Sequence, residues 1–546
     1  MNGHIRIPLP ANEPAFSYAP QTEARVRLKE ELQRQSRQVL EIPLLIAGKE
    51  IKTGRLGEIR APHRHDLLLA TFHQAGPDEV QLAIRAAREA VNDWTNLPWR
   101  QRAMIFQKAA DLLAGPYRMT LNAATMLGQS KTAHQAEIDS ACEMVDFWRF
   151  NVHFWDRIFA DQPAHPGSIN TCNLLEYRSL EGFILAVSPF NFTAIGGNLP
   201  TAPAMAGNVV IWKPASTAVL SNYYLMKILL EAGLPPGVIS FLPGRGSTIG
   251  QPLFDHPDFA GLHFTGSTGT FNEMWRQVGE RVGQGRYRNY PRLVGETGGK
   301  NFVLACPDAD PESLAVALVR GAFEYQGQKC SAASRAYLPK SLWPKVKSLL
   351  GDALSRVKVG DVCDFTNFMG GIIDEFSYRN IVRYIEMARE SADTRIIFGG
   401  DHDDRAGWMI QPTIVLTENP ADRLMTEEIF GPVLTIHVYP DEELEKTLEF
   451  IDATGPYALT GAVFGRDRSR LDQISRRLRY AAGNFYLNDK PTGAVVGQQP
   501  FGGGRASGTN DKAGSPLNLL RWVSPRTIKE ALVPPHSFNY PFMVEP

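Results

Sequence analysis

The residue with the clearest chemical potential is Cys330, which lies in the segment Gly-Gln-Lys-Cys-Ser-Ala-Ala. The small residues after the sulfur permit a helix to begin there, and a helix dipole lowers the pKa of a thiol at its N-terminus. Polar, flexible neighbours favour an accessible nucleophile, whereas most cysteines are small buried apolar residues. That ordinary role fits the other four cysteines, which are Cys142, Cys172, Cys306 and Cys363.

Two other side chains have the right chemistry to assist a nucleophile. Glu296 ends an apolar run and precedes Thr-Gly-Gly-Lys; a carboxyl group among buried glycines has either a partner or a raised pKa, which suits a general base. Asn191, in Ser-Pro-Phe-Asn-Phe, follows an apolar run and can donate its amide to an oxyanion. Taken singly, each is also explained as a loop or turn residue.

Two glycine-rich turns and one lysine follow predicted strands. The turns are Pro243–Gly250 and Phe264–Gly269, and the lysine is Lys213 in Trp-Lys-Pro. Glycine allows the backbone to approach a pyrophosphate, and a following helix N-terminus supplies free N–H groups. Neither turn fits GxGxxG, so each turn alone is weak evidence for phosphate binding. Three such features at the ends of predicted strands together indicate a nucleotide site.

The elements that must position these residues alternate between strand and helix. The predicted strands are Phe183–Val187, Val209–Trp212, Val238–Leu242 and Leu262–Phe264, and a helix spans Thr217–Ala232. Alternation of this kind predicts an α/β fold with a parallel sheet covered by helices on both faces. Helices are expected to dominate up to about Phe154, and a second α/β block to run from Arg292 to about Ala482.

The uncharged stretch Phe183–Trp212 is longer than a membrane-spanning helix requires. Its prolines, glycines and asparagines suit a lipid-exposed helix badly, so we expect a buried strand–loop–helix–strand passage and no membrane span.

Composition excludes several other classes. The chain has 546 residues with 57 Lys plus Arg and 58 Asp plus Glu, a net charge of −1 that offers no electrostatic footprint for nucleic acid. Five scattered cysteines without CxxC spacing indicate neither a disulfide framework nor a zinc site, and no metal is expected. Together with an N-terminus that lacks a signal or transit pattern, they predict a cytoplasmic protein.

Taken together, the motifs resemble the aldehyde dehydrogenase superfamily over roughly Ile42 to Trp522. Six of them occur in that family's order: Ser188-Pro-Phe-Asn191, Trp212-Lys-Pro214, Phe264-Thr-Gly-Ser267, Glu296-Thr-Gly-Gly299, Gly327-Gln-Lys-Cys330 and Glu428-Ile-Phe-Gly-Pro432. The segments Phe190–Gly197, Gly483–Lys490 and Val496–Asp511 look like the 1-pyrroline-5-carboxylate dehydrogenase branch. The implied fold is a Rossmann-type NAD-binding domain, an α/β catalytic domain and a small β oligomerisation element.

The resemblance implies a role for each matching residue. Cys330 would attack an aldehyde, Asn191 and the Cys330 N–H would hold the oxyanion, and Glu296 would activate water to hydrolyse the thioester. The expected NAD contacts are Ser188, Phe190, Lys213, Pro214, Ser216, Gly246, Gly266, Ser267, Glu428 and Phe430. Many NAD-preferring members carry a glutamate where Ser216 stands, so NADP is kept as a weaker alternative coenzyme.

The branch resemblance implies a substrate, L-glutamate γ-semialdehyde in equilibrium with 1-pyrroline-5-carboxylate, oxidised to L-glutamate in proline catabolism. Ser331, Gly493 and Ala494 match the loop that binds its α-carboxylate, and Phe192 and Phe501 would flank its aliphatic chain. The alternatives are another semialdehyde dehydrogenase, a CoA-acylating enzyme (disfavoured by Glu296) and a non-catalytic relative.

We expect residues 1–160 and 180–293 to form the NAD-binding domain with an N-terminal helical region, and 294–514 the catalytic domain. A hairpin at 161–179 and the tail 515–546 would pair subunits in a homodimer or dimer-based oligomer. The length leaves no room for a fused proline dehydrogenase domain, so we expect a stand-alone enzyme. A separate proline dehydrogenase is a possible partner, and the sequence leaves open whether the two proteins dock.

Overall fold

The structure is a computed structural model that describes residues 7–165, 167, 170–543 and 545. Of the predicted domain ranges, 1–160, 161–179 and 515–546 therefore include positions outside the described residues.

The helices of the described chain are spread along its whole length. They are α1 (Glu23–Ser36), α2 (Pro77–Asn96), α3 (Trp99–Ala114), α4 (Arg118–Gln129), α5 (Ala133–Ala136), α6 (Glu143–Ala160), α7 (Thr193–Met205), α8 (Val219–Ala232), α9 (Gly246–Phe254), α10 (Thr268–Gly283), α11 (Pro311–Phe323), α12 (Trp343–Leu354), α13 (Glu375–Glu390), α14 (Arg423–Thr426), α15 (Leu444–Ala453), α16 (Arg468–Arg477) and α17 (Pro516–Leu519).

The strands alternate with these helices. They are β1 (Leu40–Ile42), β2 (Leu44–Ile46), β3 (Lys49–Ile51), β4 (Leu56–Ala61), β5 (Arg64–His73), β6 (Thr171–Ser179), β7 (Phe183–Val187), β8 (Val209–Lys213), β9 (Ile239–Phe241), β10 (Phe259–Thr265), β11 (Arg292–Glu296), β12 (Asn301–Ala305), β13 (Ala333–Pro339), β14 (Thr394–Phe398), β15 (His402–Asp403), β16 (Met409–Ile410), β17 (Thr413–Thr417), β18 (Val433–Tyr439), β19 (Tyr457–Ala458), β20 (Thr460–Phe464), β21 (Asn484–Leu487), β22 (Gly504–Arg505) and β23 (Val523–Ala531).

The first large sheet has the order β11-β10-β7-β8-β9-β2-β3, and its first five strands are parallel. Successive residues of β7 and β8 enter different hydrophobic clusters: Ile184 and Val210 belong to one, Leu185 and Ile211 to the other. Both faces of the sheet are therefore covered, and the predicted α/β class is confirmed.

The uncharged stretch forms β7, α7 and β8, with Pro200 and Pro203 inside the helix. Among the described residues, no helix combines the length and the apolar character that a bilayer crossing requires.

The second large sheet has the order β14-β17-β18-β13-β12-β20-β21 and is parallel except for its edge strand β14. The predicted start of the second block at Arg292 is one strand too early. Strand β11 pairs with β10 as the edge of the first sheet, so the boundary follows Glu296. Sequence pattern cannot distinguish an edge strand of one sheet from the first strand of the next, because both are short and apolar.

Helices dominate up to Phe154 as expected, and β1, β5 and β4 add a three-stranded sheet within residues 40–73. Strand β6 pairs antiparallel with the tail strand β23 from Thr171↔Ala531 to Ser179↔Val523. Within residues 161–179, the described positions thus contribute one strand of a ribbon, and its partner comes from the tail. The other half of a hairpin lies far away in sequence, where local pattern gives no signal.

Candidate active site

The candidate site lies where the carboxyl edge of the first sheet faces the second sheet. Val187 pairs in register with Lys213, and Thr265 with Glu296, so the segments after these strands meet at one edge. Ligands of open parallel sheets bind at this edge. Gly298 and Gly299 then lead directly into β12, and this short connection holds the two sheets close together.

Cys330 lies in a turn immediately before β13 and is partly exposed. A strand follows it, so the expected helix start after the sulfur is wrong: Ala333 pairs with Asn301, and strand pairing outweighs the weak local signal. Burial, reinforced by the carboxyl groups of Glu296 and Glu428, raises the pKa of the Cys330 thiol above its usual range. A raised pKa favours the thiol over the thiolate, so the sulfur has to lose its proton before it can act as a nucleophile.

The turn that carries Cys330 is held by two asparagines. The Asn301 side chain donates to the carbonyl oxygens of Cys330 (2.7 Å) and Ala332 (2.8 Å) and accepts from the Thr460 N–H (3.0 Å). Asn191 donates from Nδ2 to the Gln328 carbonyl (3.0 Å). Sequence reasoning missed Asn301, whose position just after Gly-Gly-Lys was the available signal.

Glu296 is placed by a segment 200 residues further along the chain. It forms a bridge with Gly508, while the Thr509 N–H donates to the Gly295 carbonyl (2.9 Å) and the Gly295 N–H donates to Thr509 Oγ1 (3.0 Å). Its Oε2 atom is buried without a hydrogen-bond partner among the described residues. Burial raises the pKa of Glu296 well above its usual value, partly offset by the Gly503 N–H and by Lys512.

A cavity of about 300 Å³ brings the predicted catalytic and substrate residues together. Its lining includes Cys330, Glu296, Phe192, Ser331, Gly493, Ala494 and Phe501. Asn191 is not among the residues that line the cavity; its side-chain amide donates to the Gln328 carbonyl instead. Cys330, the Glu296 carboxyl group and the loop of Gly493 and Ala494 therefore share one chamber.

The loop that carries Gly493 and Ala494 has partners that the sequence did not suggest. The hydroxyl groups of Ser331 and Thr492 are 2.8 Å apart, and Lys490 Nζ donates to the Thr492 carbonyl (3.1 Å). Gly493 has φ +94°, a conformation that side chains disfavour. These contacts hold the loop beside the turn of Cys330.

The residues predicted to contact the nucleotide differ in their exposure to solvent. Ser216, Gly246 and Ser267 are exposed near the starts of α8, α9 and α10. Ser188 is different, because its hydroxyl accepts from the indole of Trp212 (2.8 Å) in the interior. The geometry thus gives the Ser188 side chain a structural partner.

The remaining nucleotide residues lie at the carboxyl edge of the first sheet or beside the start of the second. Lys213 is the last residue of β8, Gly266 follows β10, and Pro214 is buried after Lys213. The rings of Phe190 and Phe430 meet edge to face, 5.8 Å apart. Burial lowers the pKa of Lys213 to about 8.

Glu428 approaches the same opening from the second sheet. Its Oε1 accepts from the Gly299 N–H (2.8 Å), and burial raises its pKa to about 7. A Cβ on Gly298 would lie 2.3 Å from Glu428 Oε2, so only glycine allows this contact. Lys300 is buried nearby, and burial lowers its pKa to about 7.

No cluster of three or more His, Cys, Asp or Glu side chains with metal-binding geometry occurs in the part of the chain that the structure describes.

Cys330 and Glu296 share one chamber between two α/β sheets, and Asn191 holds the turn of Cys330. A thiol beside a carboxyl group suits nucleophilic catalysis. Residues 52–528 match the aldehyde dehydrogenase family, and the chain belongs to that family. The resemblance seen in the motifs is confirmed.

Two known proteins are similar to this chain over almost its whole length. The chain is 52% identical over 540 residues to the delta-1-pyrroline-5-carboxylate dehydrogenase, mitochondrial, of Dictyostelium discoideum, covering 99% of this chain and 97% of that one. A crystal structure of the delta-pyrroline-5-carboxylate dehydrogenase from Mycobacterium tuberculosis bound with NAD is 48% identical, covers 100% of both chains and has a TM-score of 0.96.

These comparisons correct one expectation. The relatives from Dictyostelium discoideum, Danio rerio and Homo sapiens are named as mitochondrial, so the prediction of a cytoplasmic protein is wrong. Sparse cysteines indicate a reducing compartment, and composition does not distinguish one such compartment from another.

Proposed function

We propose that this chain oxidises L-glutamate γ-semialdehyde, the open form of 1-pyrroline-5-carboxylate, to L-glutamate with NAD, a step of proline catabolism. The observation that carries the proposal is the shared chamber of Cys330, Glu296 and the loop of Gly493 and Ala494. The names of the relatives in both comparisons support the same substrate.

The residues present fit a dinucleotide. Exposed first turns of α9 and α10 offer N–H groups for phosphates, and Lys213 lies at the same edge. The Glu428 carboxyl group, bonded through one oxygen to Gly299, keeps acceptor capacity for ribose hydroxyls. Bound NAD supplies the acceptor for the hydride that leaves the substrate carbon, which converts a thiohemiacetal into a thioester.

The first step is addition of Cys330 to the aldehyde. The thiol loses its proton to solvent water, and Sγ bonds to the aldehyde carbon while the carbonyl electrons move to oxygen. That oxyanion accepts from the Cys330 N–H and from Asn191. One N–H of the Asn191 side chain donates to the Gln328 carbonyl. The second N–H of the same amide would donate to the oxyanion.

Hydrolysis completes the reaction. Glu296 takes a proton from water, and the hydroxide oxygen bonds to the thioester carbon. The C–S bond then breaks, the departing Cys330 thiolate takes the proton from Glu296, and the product acid releases its own proton to solvent and leaves as the carboxylate. The raised pKa of Glu296 makes its carboxylate a stronger base than an exposed glutamate.

Substrate selection rests on the end remote from the aldehyde. A buried carboxylate needs donors, and the N–H groups of Gly493 and Ala494 with the Ser331 hydroxyl provide them. Phe192 and Phe501, both partly buried in the chamber wall, flank the methylene chain.

The deciding experiment compares steady-state NADH formation with glutamate γ-semialdehyde, succinic semialdehyde and propionaldehyde, using NAD and then NADP. We expect the highest kcat/KM with glutamate γ-semialdehyde and NAD. Equal or higher kcat/KM with succinic semialdehyde would refute the assignment.

We also propose the roles of the larger units. The first sheet and its helices would form the NAD-binding domain, with the boundary moved to Glu296, and the second sheet the catalytic domain. The β6–β23 ribbon and the tail would pair two copies, because Leu174, Leu532, Val533 and Phe538 are exposed there.

A proline dehydrogenase is the proposed protein partner. A solved bifunctional proline utilization A protein is 32% identical over 84% of this chain, with a TM-score of 0.79, and the matched part is 45% of that protein. Co-migration of the chain with a proline dehydrogenase in analytical ultracentrifugation tests this proposal, and the same run gives the oligomeric state.

A further inference from the structure

The segment before α1 forms one edge of the substrate chamber. Residues 7–22, here called the N-terminal arm, contain neither helix nor strand in the described chain. Nevertheless Asn12, Glu13 and Ala15 line the same cavity as Cys330 and Gly493. The sequence motifs gave this arm no part in the site.

Buried charges fix the arm in place. The Glu13 carboxylate accepts from Arg118 (2.6 Å) and from Arg149 (2.7 Å), and its backbone N–H donates to Asp146 (2.7 Å). Arg118 is 2% exposed and also pairs with the fully buried Glu137. Charge-assisted bonds in such a setting are strong, so the arm is held at a defined position.

Asn12 uses this fixed position to join two elements. Its Nδ2 donates to Asp146 Oδ2 on α6 and to the Val496 carbonyl, both at 2.8 Å. Its Oδ1 accepts from Gln498 Nε2, also at 2.8 Å. One side chain therefore connects a buried helix to the segment that begins at Gly493.

We propose that Asn12 is a positioning residue for the substrate: it fastens the loop of Gly493 and Ala494 to α6 and so sets the affinity for aldehydes that carry an α-carboxylate. The inference rests on the proposed function. Asn12 acts through the loop and has no part in bond making.

The physical reason is preorganisation. Gly493 and Ala494 offer backbone N–H groups, whose direction depends on the path of the loop, and Val496 is only two residues further on. Without the hydrogen bonds that join Asn12 to Val496 and Gln498, the substrate itself must order the loop. The free energy spent on that ordering lowers the affinity for the substrate. A substrate without a carboxylate does not use these donors.

The test is steady-state kinetics of Asn12→Ala with glutamate γ-semialdehyde and with propionaldehyde. Losing bonds of this kind corresponds to about a three- to tenfold rise in KM for the semialdehyde. We expect kcat, and KM for propionaldehyde, to stay within about twofold. The matched control is Leu9→Ala, a residue of the same arm that is 72% exposed.

Gln498→Ala provides a second variant that keeps the fold intact, because Gln498 is exposed and bonds Asn12 from the loop side. It should raise KM in the same selective way, and the double variant should fall short of the product of the two effects. Equal losses for both aldehydes, or unchanged KM in both single variants, would overturn the inference. If the wild-type chain does not oxidise the semialdehyde at all, the proposed function fails instead.

Discussion

The turn of Cys330, the proposed nucleophile, and the carboxyl edge of the first sheet, the proposed nucleotide edge, are built in different ways. Around Cys330, neighbouring carbonyl groups are held by buried side chains of Asn301 and Asn191. At the nucleotide edge, Ser216, Gly246 and Ser267 are exposed and present backbone at the starts of helices. The turn of Cys330 is thus fixed from within by buried hydrogen bonds, whereas the nucleotide edge is open to solvent.

The difference agrees with the roles that we propose for the two regions. A nucleophile has to stay within a few tenths of an ångström of its geometry through a covalent cycle, and buried hydrogen bonds provide this. A coenzyme must enter and leave at every turnover, so its site can rely on helix ends that need no ordering. Substitutions in the two regions should therefore differ sharply in effect.

The largest effect is expected at the nucleophile itself. Cys330→Ala should lower aldehyde oxidation by several orders of magnitude while NAD binding, measured by calorimetry, is unchanged. Cys172→Ala, which removes an exposed cysteine on β6, is the control. Substantial turnover by the Cys330 variant would exclude the covalent mechanism.

Glu296→Gln should separate the two halves of the reaction. Hydride transfer occurs once before hydrolysis, so stopped flow should show a burst of NADH followed by a slow steady rate. In the wild type, the raised pKa of Glu296 means that its basic form is lost as pH falls through that pKa. The steady rate should therefore decline on the acid side well above the usual range of glutamate. A slowed burst would instead assign Glu296 to activation of the thiol.

Ser331→Ala tests the substrate end of the chamber. A carboxylate short of one donor costs roughly 1–3 kcal/mol, equivalent to about a five- to 150-fold rise in KM. The value of kcat should fall much less, because the carboxylate is bound equally in ground and transition states. The KM and kcat for propionaldehyde should hardly change. Equal losses for both aldehydes would mean that the Ser331–Thr492 contact supports the turn of Cys330.

Asn301→Ala tests whether the turn of Cys330 is fixed from within. The change leaves the Cys330 and Ala332 carbonyls and the Thr460 N–H without their partner. We expect a loss of ~1–3 kcal/mol in the free energy of unfolding and a clear fall in kcat, with KM for NAD unchanged. An unchanged kcat would show that neighbouring contacts hold the turn without it.

The smallest effect is expected at the open edge. Ser267 caps α10 by accepting from the Thr270 N–H (3.2 Å), and loss of such a cap costs about 1 kcal/mol. Ser267→Ala should raise KM for NAD by roughly two- to tenfold and leave the NADH burst amplitude intact. If Ser267→Ala lowered kcat as much as Asn301→Ala does, the proposed difference between the two regions would be wrong.

Local sequence was most informative where a run of residues completes one element. The predicted strand Phe183–Val187 has the observed bounds, and the helix predicted over Thr217–Ala232 is observed as α8, which ends at the same residue. In both cases a continuous apolar pattern and a glycine or proline stop mark the element. The turn before β13 was misjudged because small residues after Cys330 suit a strand start as well as a helix start.

The sequence by itself determined the α/β class, the family, and the identities of Cys330, Glu296 and Asn191 as candidates, since each depends on residue type within a short segment. Only the tertiary structure decided how the distant segments meet. Gly508 fixes Glu296, β23 completes the ribbon of β6, and Asn12 reaches Val496, 484 residues away. These contacts depend on the packing of two sheets in space, and no local pattern of residues records which distant segment will supply a partner.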